Sequence, residues 1–252
     1  MIGRSLGPLR PLARVALRAS GWLFDHLGGP LYRTGGMAFD VPREGTMREY
    51  RGRFLLGLYE RPERKLIARH LPADAAVLEL GAGVGIVSCV LNARLDAPRH
   101  HVAVEPNPLL IDMLRANRDR NGRAYHIVYG LVVDAGATGG TVPFNVSMER
   151  PLGNRLGRPG GQRHDVPALA FGGLQGRCDA PFTFIVLDIE GAETAVLPTA
   201  LDALPRIDGI VVEQHPAIVG KAEVDALREG LRERGFERAD RIRDVEFWRR
   251  GS

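Results

Sequence analysis

The chain has 252 residues, enough for one large α/β domain with a substantial core, and its apolar (44%) and charged (25%) fractions are ordinary for a globular protein. A net charge of +4, carried almost wholly by arginine because Lys65 and Lys221 are the only lysines, falls short of the concentrated basic face of a dedicated nucleic-acid binder. Cys89 and Cys178 stand in no metal or redox spacing, which fits a reducing cytoplasm, and no apolar run approaches the ~20 residues of a membrane span.

Residues 1–58 read as an N-terminal extension rich in Gly, Pro and Arg, with a helix near 9–25. Arg10, Arg14 and Arg18 recur at helical spacing beside Leu9, Leu12, Ala13, Ala16 and Leu17. Such a helix either packs on the domain with solvated arginines or lies on anionic lipid as an interfacial helix. It is also a candidate substrate lid.

Residues 59–252 read as the main domain. A helix starts at Arg61-Pro62-Glu63, and Pro72-Ala73-Asp74 turns the chain into a strand at Ala76–Leu80. A helix from Gly85 leads to the strand His101–Val104. Pro106-Asn107-Pro108 opens another helix, which ends near Asn121-Gly122, and a strand follows at Tyr125–Val133. Residues 134–180 are irregular, with one strand at Val142–Val146, and read as loops over the substrate side of the sheet. Phe182–Leu187 has no polar interruption and is expected to be central. A helix from Ala195 to Leu204, a strand Gly209–Val212, a helix over 221–234 and a strand Val245–Trp248 complete the series. Strands alternating with helices predict a doubly wound, mostly parallel sheet whose ligands sit beyond the carboxyl ends of the strands.

The first such end is Val77-Leu78-Glu79-Leu80-Gly81-Ala82-Gly83-Val84-Gly85, with an acidic residue, Glu105, closing the next apolar run. Glycines let the backbone pass close to a ligand, and a carboxylate about 20 residues on is placed to accept hydrogen bonds from a ribose. The dinucleotide fingerprint would require glycine at Ile86; the third glycine is Gly85 instead, which disfavours NAD. The E-x-G-x-G-x-G form points to S-adenosyl-L-methionine (AdoMet), which has no pyrophosphate to seat on a helix N-terminus. Glu79 then offers a carboxylate to the cationic methionyl end.

The fourth strand ends Leu187-Asp188-Ile189-Glu190-Gly191-Ala192-Glu193. Three carboxylates after a buried strand are costly unless they face a site or partner. Asp188 is placed to act as a base or to hold an ammonium group; Glu193, at a helix start, also suits the helix dipole. The next strand ends Glu213-Gln214-His215-Pro216, where His215 is a second candidate base. His164-Asp165 carries no distinguishable role.

These residues resemble the FkbM family of AdoMet-dependent methyltransferases. The resemblance lies in Tyr59-Glu60 with Glu63, Leu78 to Gly85, Val104-Glu105-Pro106-Asn107, Leu187 to Glu193, and Val212-Glu213 with His215, over roughly residues 55–235. The chain departs from the family's D-x-G-A-N-x-G pattern, having Glu79 and Gly83 in place of aspartate and asparagine. The resemblance implies a class I Rossmann-like methyltransferase fold and O-methylation of a hydroxyl on a sugar, glycolipid or polyketide-type metabolite, with no nucleic acid as partner. Asp188, Glu190 and His215 are then the catalytic set, Asp188 or His215 being the base. The cofactor set is Glu60, Glu79, Gly81, Ala82, Gly83, Gly85, Glu105, Pro106, Asn107 and Asp134, with Glu60 at the methionine ammonium and Asn107 and Asp134 near the adenine. The expected enzyme is metal-free; in a variant, Asp188, Glu190 and His215 hold a divalent cation. Two other readings compete. A nucleic-acid methyltransferase lacks support because the fourth strand has no Asn/Asp-Pro-Pro-aromatic end, and a non-catalytic scaffold would not need these carboxylates.

Overall fold

The computed structural model describes residues 10–27, 29, 31–42, 48–133, 139–146 and 161–251. In chain order the elements are α1 (Arg10–Leu27), β1 (Tyr32–Thr34), β2 (Met37–Phe39), α2 (Arg48–Leu55), α3 (Arg61–His70), β3 (Val77–Leu80), α4 (Ile86–Asn92), β4 (His101–Glu105), α5 (Ile111–Arg120), β5 (His126–Tyr129), β6 (Leu131–Val132) and β7 (Thr141–Val146). There follow β8 (Gln162–Leu169), α6 (Phe171–Gln175), β9 (Phe184–Leu187), α7 (Glu193–Ala203), β10 (Gly209–Glu213), α8 (Pro216–Val219), α9 (Lys221–Glu233), β11 (Phe236–Ile242) and β12 (Val245–Arg250).

The main sheet runs β11-β12-β10-β9-β3-β4-β5, with β9 at its centre as its apolar run requires. From β10 to β5 the pairs are parallel, and β12 is antiparallel to both of its neighbours. Alternate residues of each strand face opposite layers. Ile185 and Leu187 join Leu78, Leu80, Val102 and Ile210 in a core under α6, α7 and α9, while Phe184 and Val186 join Val77 and Val211 in a second core under α3 and α4. This is the doubly wound class I methyltransferase arrangement that the resemblance implies.

Three differences from the sequence reading have local causes. β11 went unrecognised because its sequence, FERADRI, is largely exposed: it is an edge strand with one paired side and a register shift at Arg238/Asp240. The expected strand Tyr125–Val133 is two strands, broken at Gly130. There φ is +148°, and a Cβ would meet the Pro167 carbonyl oxygen at 2.7 Å, so β5 stays in the main sheet and β6 leaves it. The supposedly irregular segment contributes β7 and β8, which form a small sheet with β6 around Phe144, Val146 and Val166.

The N-terminal segment packs on the domain, the first of the two readings of its helix. Leu17, Gly21 and Phe24 form the buried face of α1, while Val15, Trp22 and Leu23 are exposed. Gly52 allows α2 to approach α1, since a Cβ there would strike the Leu17 carbonyl oxygen. Arg51 grips Asp25 with two hydrogen bonds of 2.7 and 2.8 Å. Phe24, Phe39, Phe54 and Tyr59 share one core with Ala82, Ile86, Leu114 and Tyr125, which puts the extension directly behind the glycine loop.

Asn117 locks this joint. Its Oδ1 accepts the Asp40 N–H at 2.7 Å, and its Nδ2 donates to the carbonyls of Asp40 and Val84 at 2.8 and 2.9 Å. Asn117→Ala strands those buried groups at a cost of about 1–3 kcal/mol for each one left unpaired. Thermal denaturation should show a Tm several degrees lower; an unchanged Tm would mean that the joint contributes nothing. Among the described residues no helix is long and apolar enough to cross a membrane.

Candidate active site

A cavity of about 360 Å³ lies beyond the carboxyl ends of β3, β4 and β9. One side is built by the glycine loop and the exit of β4, with Gly81, Gly83, Glu105 and Pro106 on its wall. Gly81 has a φ of +91°, and a Cβ on it would strike the Asp188 carbonyl oxygen, so only glycine lets the β3 and β9 exits touch. Glu105 is fixed from both sides: Oε2 accepts the Gly83 N–H and Oε1 the Asn107 N–H, each at 2.7 Å. Burial pushes its carboxyl up to about 7 against the pull of those two donors. Each oxygen keeps a lone pair for a ligand hydroxyl.

Several expected cofactor residues stand elsewhere. Glu79 points into the sheet's interior, 2% exposed, with Oε2 3.0 Å from Nε2 of His101 on the neighbouring strand, and it does not line the cavity. The alternation of β3 explains this: Leu80 faces the cavity and its neighbour faces away. Ala82, Gly85 and Asn107 shape the loop from behind, and Asp134 lies outside the described residues.

The opposite wall is acidic. Glu60 and Glu190 both reach the cavity from left-handed backbone, with φ of 46° and 54°, a conformation uncommon for any residue but glycine. Glu193 holds the turn that carries Glu190: its carboxylate accepts the N–H of Ile189 at 3.0 Å and of Gly191 at 3.0 and 3.2 Å. It also accepts Nδ1–H of His215 at 3.0 Å. Glu193 therefore orders the turn that carries Glu190 and the ring of His215. Nε2 of His215 faces Asp188 Oδ1 and Glu190 Oε2, both at 3.7 Å.

Behind this wall stand two carboxylates that were missed as site residues. α3 brings Glu63, 5% exposed, to Glu213 at the end of β10. The signal was available in Glu60 and Glu63, one helical turn apart, and in a carboxylate ending an apolar strand. Burial first, then the charges of Glu213, Glu190, Glu63 and Glu60, raise Asp188 well above the usual carboxylate range. Burial disfavours a charged His215, but the hydrogen bond and charge of Glu193, with Glu213 and Glu190, push it up to about 9. At neutral pH the imidazole in the protein alone therefore carries its proton. Asp188, the other candidate base, is the one of the two that lines the cavity.

These shifts fix the sign of a pH effect. Burial pushes Glu60 up to about 8, and Glu105 stands at about 7, against 4.5 for each in an unfolded chain. Between those values the unfolded state binds fewer protons, so stability falls as pH rises from 4.5 through about 8. His215 adds to the slope, since its stabilising charge is lost as pH rises from 6.5 through about 9. Tm should therefore decline steadily from pH 5 to pH 8; a Tm that climbs over this interval would contradict the assignment.

The family model for the FkbM methyltransferase domain matches residues 79–238, well over half of the chain. No curated protein is similar enough to count as a relative. Among solved structures, a putative transferase from Pyrococcus horikoshii is 13% identical, with a TM-score of 0.51 over 97% of this chain and 86% of its own. An O-methyltransferase from Bacillus cereus in complex with SAH is 13% identical, with a TM-score of 0.45 over 93% and 88%. An rRNA methylase from Streptococcus thermophilus is 10% identical, with a TM-score of 0.45 over 77% and 99%. At such identities the likeness is one of fold.

Proposed function

The chain belongs to the FkbM methyltransferase domain family and is an AdoMet-dependent methyltransferase, and from that premise we propose that it O-methylates a hydroxyl of a sugar, glycolipid or polyketide-type metabolite. The cavity fits the cofactor. Glu105 is pre-set by two backbone donors to accept ribose hydroxyls, and the acidic wall, with Asp188 Oδ1 buried and unpartnered, suits a cationic ligand. When bound, AdoMet supplies an electrophilic methyl group together with its own leaving group.

The chain's residues then have to hold and orient an acceptor oxygen and take its proton. Glu60 meets the methionine ammonium. Asp188 accepts the hydroxyl proton, worth about 10²–10⁴-fold in rate, while Glu190 orients the acceptor. Val132, Phe144, Phe171, Ile189 and Val196 form an apolar flank that limits water and suits an acceptor with an apolar body.

The observation that carries this reading is the make-up of the wall. Glu60, Glu105, Asp188 and Glu190 line the cavity, and no arginine or lysine is among its described lining residues. A polyphosphate backbone finds no cation to pair with there, whereas a neutral hydroxyl needs none. Incubating the purified chain with methyl-labelled AdoMet and separate panels of neutral polyols, glycolipids, polyketide alcohols and RNA tests the proposal. Label in an alkali-stable ether of a hydroxyl acceptor is expected; label confined to RNA would overturn it.

A further inference from the structure

We propose that Asp188, Glu213 and His215 form a divalent-cation site behind the acidic wall of the cavity, with Asp188 the member that lines it. One ligand atom from each lies within 4.8 Å of the others, at the exits of the adjacent parallel strands β9 and β10. The claim concerns binding and stands apart from the hydroxyl-acceptor reading; only the role of the bound ion rests on that reading.

The orientation of the imidazole is the first argument. An ionised carboxylate can only accept, so the 3.0 Å contact with Glu193 places a hydrogen on Nδ1 and leaves Nε2 to face the carboxylates. Its separations of 3.7 Å from Asp188 Oδ1 and Glu190 Oε2 are too long for hydrogen bonds. Adjacent ligands of an octahedral ion bonded at about 2.0–2.1 Å stand about 2.9 Å apart, so an ion bound here draws Nε2 and Asp188 Oδ1 inward from 3.7 Å. Glu193 thus occupies the place of the carboxylate that fixes the tautomer of a metal-ligating histidine.

The second argument comes from a residue outside the triad. Glu63 is 5% exposed, its carboxyl lies within hydrogen-bonding reach of Glu213, and its Oε2 is sealed without a partner. Asp188 Oδ1 is likewise sealed and unpartnered. Two carboxylates facing each other in a buried place are unfavourable without a positive charge between or beside them. Arg64, which offsets Glu60, has its guanidinium engaged with Thr34 and with the carbonyls of Gly57, Tyr59 and Glu60. A cation held by Asp188 and Glu213 meets the need of the sealed Asp188 Oδ1 and puts a positive charge beside the contact between Glu63 and Glu213.

Two carboxylates and one imidazole suit a divalent ion of the Mn²⁺ or Mg²⁺ kind, which keeps further positions for water or for an acceptor oxygen. Because Oδ1 is the sealed oxygen of Asp188, the 27% exposure of its side chain belongs to the rest of that side chain, which faces the cavity. An acceptor hydroxyl bound to the ion is made more acidic there and passes its proton to that free side of Asp188.

Titrating the full chain with Mn²⁺ and following it by electron paramagnetic resonance tests the site. One Mn²⁺ per chain with a nitrogen coupling from the imidazole is expected. Glu213→Gln and His215→Gln should each weaken uptake at least tenfold, and Glu193→Gln roughly 10–100-fold through the tautomer it sets. Asp112→Asn, on the exposed face of α5, should leave uptake unchanged. Absence of stoichiometric Mn²⁺, absence of the nitrogen coupling, or displacement of all Mn²⁺ by AdoMet alone would overturn the proposal, and each is read on the unaltered protein. Stoichiometric Mn²⁺ without methyl transfer to any hydroxyl would keep the site and remove the hydroxyl reading. Undiminished methyl transfer in chelator with no Mn²⁺ uptake would do the reverse.

Discussion

Replacing Asp188 with alanine or asparagine is expected to lower methyl-transfer turnover by roughly 10²–10⁴-fold, the usual worth of a positioned proton acceptor, while AdoMet still binds measurably. The side chain lines the cavity from the exit of the central strand, where the backbone is fixed by the Asp188 N–H on the Leu80 carbonyl at 3.1 Å. A substitution here changes the chemistry offered to the acceptor without loosening the sheet. Asparagine sharpens the test because it preserves volume and removes one of the mutually repelling carboxyls. Its Tm should equal or exceed that of the parent while activity collapses, a split that a merely structural residue would not produce. Calorimetry with AdoMet on the same sample completes the experiment. Activity within a few-fold of the parent would take Asp188 out of the reaction, and loss of AdoMet binding would move it to the cofactor.

Asp188 reads as a site residue from sequence more directly than Glu213 and Glu63 do, and the reason is range. Asp188 follows an uninterrupted apolar run, and in a parallel sheet the residue just past such a run must sit at the ligand edge. The same rule applied to Gly81 and Glu105, and both line the cavity. Glu213 also ends an apolar strand, but its weight comes from Glu63, 150 residues earlier on α3, and no periodicity encodes that approach. Glu79 misled for the opposite reason. Its motif position suggested a ligand, whereas the two-residue period of β3 sends it inward to His101. The sheet order was largely legible because buried strands read as apolar runs. β11 and β8 were not, since each has exposed polar residues along much of its length. The N-terminal segment makes its contacts with Asn117 and Asn121, far along the chain, so its sequence left two readings open, packed on the domain or lying on lipid.

Gly81→Ala is expected to damage the cofactor site and the fold together, more severely than its single added methyl suggests. Two costs act at once. A φ of +91° is one that an L side chain rarely adopts, worth about 1–3 kcal/mol. The new Cβ would also collide with the Asp188 carbonyl oxygen, and backbone cannot swing aside as a flexible side chain would; such overpacking costs about 1–3 kcal/mol more. The carbonyl belongs to a β9 exit pinned to β3 through the Asp188 N–H on Leu80, so relief must come from the loop itself. Moving the loop shifts Gly83, whose N–H holds Glu105 Oε2 at 2.7 Å, and thereby releases the carboxylate that awaits the ribose. A Tm lower by roughly 4 °C or more, at about 2–4 °C per kcal/mol for a chain of this size, should accompany at least tenfold weaker AdoMet binding. The informative control is Gly122→Ala, also at positive φ (60°) but with nothing within 4 Å of its Cβ, which should cost stability through backbone alone and leave cofactor affinity intact. Equal AdoMet binding in the two variants would show that the contact between the β3 and β9 exits does not govern the pocket.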